Sequence, residues 1–103
     1  MNSKALRMTD ATKNQVAKEL VKCANITAQS CRTLDSNCGP FDAEAAGSAV
    51  DHVRVVCQSL CEKLDHQGFR EASDVVEALA DTLRDEFEAS VDRWMSRMTQ
   101  PVI

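Results

Sequence analysis

Two interruptions in a periodic pattern constrain this chain more than any other feature. SNCGP, residues 36 to 40, and Gly68 divide it into three long blocks. Within each block, apolar or small residues return every three or four positions. That is the period of helices packed along a stripe at a shallow angle, not of strands. The first block carries Ala17, Leu20, Ala24, Thr27, Cys31 and Leu34, and the second Ala46, Val50, Val53, Cys57, Leu60 and Leu64. In the third the stripe runs through Ala72, Val76, Leu79, Leu83, Phe87, Val91, Trp94 and Met98. Tyr is absent and aromatics make up only 4%. A sandwich or barrel needs more turns and more β-formers than that.

Local signals place the ends of the blocks. Thr12 and Gln15 have capping-box spacing, with Thr9 or Asp10 as other possible caps. Gly39 and Pro40 end the first helix. Asp42 suits the N-cap of the second, with Phe41 stapled onto Ala46. Gly68 closes that helix in the left-handed conformation, which brings Phe69 back to Leu64. The AEAAGSA run of the second block lets a neighbouring backbone approach closely. These signals predict helices near 10–36, 43–67 and 70–98. The fold class is all-α, an antiparallel up-down-up three-helix bundle, because short connections force neighbours to run in opposite directions. The other arrangement is a long helical hairpin that dimerises through the third helix. All 103 residues form one helical domain, with a flexible N-terminus at 1–9 and a tail at 99–103.

The first turn also predicts register. If it centres near residues 39 to 41, positions whose numbers sum to about 80 lie level. Leu20 then meets Leu60, Thr27 meets Val53, and Leu34 meets Ala46. Agreement of three pairs with one register supports the hairpin. The same arithmetic brings Cys23 level with Cys57.

Charge and cysteine usage bound the function. A net charge of −4 disfavours direct binding to nucleic acid. The first block is basic, with Lys13, Lys18, Lys22 and Arg32, while the third is strongly acidic. No apolar run suits a leader peptide or a membrane span, so the expected location is the cytoplasm. Five cysteines there are expected to be free thiols that pack as small hydrophobes.

CQSLCEKLDH, residues 57 to 66, looks most like chemistry. Cys57 and Cys61 are one helical turn apart, and Cys23 faces them from the first helix, so these three thiols form a fallback metal site. A fourth ligand is missing: His52 and His66 point away, and Cys31 and Cys38 are too far along the bundle. A closed zinc site needs four ligands, and its knuckles use CxxC on a turn rather than CxxxC in a helix. A Cys23–Cys57 disulfide is the redox alternative. No phosphate loop or nucleophile elbow is present, and His52 lacks the Lys-Gly that follows the histidine of phosphotransfer domains. The expectation is therefore a protein that is not an enzyme and has no cofactor.

The third block offers two binding faces. Glu71, Asp74, Glu77, Asp81, Asp85, Glu88 and Asp92 fill one stripe, roughly 120° wide, nearly opposite the apolar face. Like charges one turn apart repel, and a face kept only for solubility would more often intersperse Lys. Such a stripe is able to occupy a basic groove meant for a nucleic-acid backbone. The second face is WMSRM, where Trp94, Met95 and Met98 either cap the bundle with Val102 and Ile103 or contact a partner. Met95 is the residue expected to stay outside such a cap. The expected function is a small regulator or inhibitor that binds a protein partner, with a homodimer as a further possibility. Small inhibitors carried by phages and mobile elements, anti-CRISPR proteins among them, have this general profile. The alternatives are a cysteine-based metal-binding or thiol redox-switch protein, and a plain homodimeric structural subunit.

Overall fold

The computed structural model describes residues 7–99, and the expectations for residues 1–6 and 100–103, including Val102 and Ile103, lie outside them. Three helices, α1 (Asp10–Asp35), α2 (Pro40–His66) and α3 (Arg70–Met98), all pack on one another. This is the up-down-up bundle expected from the sequence. With 26, 27 and 29 residues, the helices are rods of about 40 Å.

Each helix end has a local cause. Thr9 caps α1, its Oγ1 accepting from the Thr12 N–H at 3.1 Å; it satisfies one of the four free N–H groups of the first turn. At the other end Asn37, at φ 59°, turns the chain left-handed and donates to the Leu34 carbonyl. The stop therefore comes before Gly39 and Pro40. Pro40 is instead the first residue of α2, where its fixed φ fits and its missing N–H costs nothing. Starting there, α2 needs no cap from Asp42, and Gly39 serves as N-cap without a side-chain bond. The staple is also absent, because Phe41 is 87% exposed. Gly68, at φ 85°, closes α2 as expected. Gly68 N–H donates to Asp65 O and Phe69 N–H to Leu64 O, which is the paired bonding of a Schellman motif. Phe69 packs against the core cluster that contains Leu64.

Burial follows the expected stripe closely on α2. Ala46, Val53, Cys57 and Leu64 are buried, with Val50 and Leu60 partly so. On α1 the stripe is rotated. Cys23, Thr27, Ser30 and Leu34 are buried, whereas Ala17 is exposed and Ala24 and Cys31 are only half-buried. On α3 the buried residues are Ser73, Val76, Leu83 and Ser90, and Met98 is 48% exposed rather than on the buried face. Each helix here has two neighbours, so its inward face is set by the line between them. Serine fits where those backbones come close. The AEAAGSA run does not mark such a place at its glycine: a Cβ at Gly47 would meet no heavy atom within 4 Å.

Candidate partner-binding surface

The stripe of α3 begins as a helical face that no other element covers. Glu71, Asp74, Glu77, Asp81, Asp85, Glu88 and Asp92 are all exposed. Among the described residues, the ion pairs within it run from Arg84, to Asp81 at 3.4 Å and to Asp85 at 3.9 Å. Exposed pairs of this kind hold little energy. The arginines further along α3 turn to α1 instead. Arg93 grips both carboxylate oxygens of Asp35, at 3.3 and 3.2 Å, and also donates to Ser90 Oγ. Arg97 donates to the Leu34 carbonyl at 2.7 Å, capping the end of α1. Both cations thus stabilise the negative end of the α1 dipole and leave the stripe largely uncompensated.

The WMSRM end divides into a docked residue and a free pair. Trp94 donates its Nε1–H to the Cys38 carbonyl at 2.8 Å, which ties the α1–α2 turn to α3. The bond sets Trp94 beside the SNCGP turn. Met95 remains 51% exposed and Met98 48%. Phe41 is exposed at the same end, so three large apolar side chains, an apolar rim, are open there among the described residues.

The thiols are arranged by the expected register. Cys57 Sγ lies 3.9 Å from Cys23 Sγ, and both residues are buried. Burial pushes the Cys57 thiol up to about 12, helped by the nearby Cys23 and Cys61 sulfurs. It pushes Cys23 up as well. Cys61 turns to α3: its S–H donates to the Ser73 carbonyl at 3.5 Å, and Ser73 Oγ returns a bond to the Cys61 carbonyl at 3.4 Å. All five cysteines are free thiols. Among the described residues no three His, Cys, Asp or Glu side chains converge to hold a metal ion, so Cys23, Cys57 and Cys61 do not form a ligand set. His52 and His66 are both exposed.

No protein-family model, curated protein or solved structure matches the chain. The acidic face is therefore a candidate surface, on its own geometry alone. No helix among the described residues is long and apolar enough to cross a membrane.

A feature that the residue pattern did not reveal lies beside the stripe. Between α2 and α3 runs an open groove of about 290 Å³, with walls that include Val50, Cys57, Cys61, Ala80 and Leu83. Glu77 and Asp81, both stripe residues, form part of its α3 rim. The signal in the sequence was Ala80, a small residue one position from Leu79 on the inward arc.

Proposed function

We propose that this protein is a non-enzymatic macromolecule-binding bundle, a small regulator or inhibitor, that uses the acidic face of α3 to engage a basic protein surface. The observation that carries this reading is the isolation of the stripe. Its carboxylates are exposed along the helix, while Arg93 and Arg97 are committed to the end of α1. Arg84 pairs weakly with Asp81 and Asp85, and the remaining like charges at helical spacing cost a few tenths of a kcal/mol per pair in the free protein. A cationic partner relieves that repulsion on binding, and a plain structural face gains nothing from it. A groove built for a nucleic-acid backbone is a partner surface of the right charge. Small inhibitors of nucleic-acid machinery carried by phages and mobile elements are the class in which this profile would fit.

The test compares the wild type with Asp81→Lys, Asp85→Lys, Glu88→Lys combined, as bait in lysate of source cells at two salt concentrations. A partner retained by the wild type should be lost from the triple variant, and lost from the wild type at high salt, because exposed charges are screened beyond roughly 8 Å at physiological ionic strength. Circular dichroism should show the same helix content for both baits. Equal retention by the two would remove the stripe as the binding surface.

The apolar rim supports a second reading, a homodimer. Phe41, at 87% exposure, sits at the same end as Met95 and Met98, and exposed aromatic and Met side chains are favoured contact anchors. Light scattering at high micromolar concentration tests it: a dimer mass that falls to the monomer in Phe41→Ser supports the contact, and a monomer mass for the wild type rejects it.

A further inference from the structure

The α2–α3 groove combines an apolar floor with a charged edge. Its floor comes from the core residues Val53, Cys57 and Leu83, reached because Ala80 and Cys61 are small for positions on the inward arc. One edge belongs to the stripe through Glu77 and Asp81. The end near Cys61 is negative: Glu77, Asp65 and Asp74 all help hold the Cys61 proton in place, after burial itself. Two cations also line the groove, Arg54 from α2 and Arg84 from α3, and Arg84 is held by Asp81 and Asp85, so the negative charge lies along the α3 edge and the stripe beyond it. At about 290 Å³, the groove lies at the lower limit of whole-ligand pockets, which begin near 300 Å³. It suits one or two anchoring side chains of a larger partner.

We propose that this groove is the anchor site for a basic amphipathic helix of the partner, whose apolar side chains enter between α2 and α3 while its lysines or arginines lie along Glu77, Asp81 and the rest of the stripe. This is the helix-in-groove mode, in which apolar anchors supply affinity and the charged edge supplies orientation. It rests on the acidic-stripe reading and adds the shape of the partner to it. A second copy of this chain is a poorer occupant. Its basic residues Lys18 and Lys22 are on α1, which lies across the bundle from the groove. Copy on copy would be a head-to-tail contact rather than a two-fold one.

The experiment uses the full chain and three fluorescein-labelled, 18-residue probe peptides, read by anisotropy. One is an amphipathic Leu/Lys helix, one a Lys/Ser peptide of equal charge, and one a Leu/Glu helix. The Leu/Lys probe should bind at least tenfold more tightly than Lys/Ser. Ala80→Leu fills the groove and should erase that advantage while leaving Lys/Ser binding unchanged. Gln58→Trp covers the groove from an exposed position, and carries the test if Ala80→Leu disturbs the fold. The stripe reversal at Asp81, Asp85 and Glu88 should weaken both Lys peptides. Equal binding of Leu/Lys and Lys/Ser, or no effect of either groove variant, overturns the groove and leaves the stripe standing. Leu/Glu binding as tightly as Leu/Lys overturns the basic partner and leaves an apolar trap. If neither Lys peptide binds the wild type, the groove and the stripe fall together.

Discussion

The sulfurs of Cys23 and Cys57 face each other at 3.9 Å across the α1–α2 interface, with the two residues only 2% and 1% exposed. Burial makes the charged thiolate costly there, so the Cys57 pKa rises from 9.0 to about 12. An unfolded chain releases that proton first. Stability from this group is therefore complete below pH 9 and declines as pH rises toward 12. The slope is about 1.4 kcal/mol per pH unit while only the unfolded thiol is ionised. Urea unfolding at pH 8, 9, 10 and 11 should show the decline, and Cys57→Val should make it shallower, leaving the part that the buried Cys23 and Cys61 thiols contribute. The chain contains no Tyr, so no phenol contributes to this alkaline limb. A curve that stays level to pH 11 would contradict the assignment.

Serine substitution should separate Cys57 from Cys61. Cys61→Ser keeps a donor within reach of the Ser73 carbonyl that the thiol now meets, and its effect should stay within about 0.5 kcal/mol. Cys57→Ser places a hydroxyl where the neighbouring partner is a sulfur, and should cost about 1–3 kcal/mol. Denaturant midpoints of the two variants check this; similar losses would mean that Cys61 belongs to the core.

Thr27 is fully buried and its Oγ1 has no hydrogen-bond partner. Thr27→Val preserves the shape and removes the stranded hydroxyl, so it should stabilise the bundle by about 1–2 kcal/mol. A lower midpoint for Thr27→Val than for wild type would show that the hydroxyl is satisfied in solution.

Gly47 lies inside α2, and a Cβ there would meet nothing within 4 Å. Gly47→Ala should stabilise the helix by about 0.5–1 kcal/mol, through the smaller entropy of the unfolded chain. Thermal unfolding should show a rise of several degrees. A lower melting temperature would point to a backbone contact at that position.

Trp94 fixes the α1–α2 turn through its bond to the Cys38 carbonyl. Trp94→Phe keeps most of the apolar contact and loses the donor, at about 1 kcal/mol. Faster amide exchange should appear at residues 36 to 39, with α2 and the rest of α3 unchanged. Uniform loss of protection along the bundle would assign Trp94 to the core rather than to the turn.

The sequence by itself determined the features that depend on local sterics and helix arithmetic. Gly68 had to turn the chain, so Phe69 returned to Leu64. A hairpin centred near residue 40 had to bring Cys23 level with Cys57, and the acidic residues of α3, spaced by three and four, had to share a face. Tertiary structure decided which edge of each stripe turned inward. Ser30, Ser73 and Ser90 are buried although their polarity argued against it, because a helix with two neighbours is oriented by both. Ser73 and Ser90 also find partners in the Cys61 carbonyl and Arg93. The groove at Ala80 and the exposed Phe41 belong to the same level of decision. Periodicity shows which residues share an arc of a helix, but the space opposite that arc exists only once the neighbouring helices are in place.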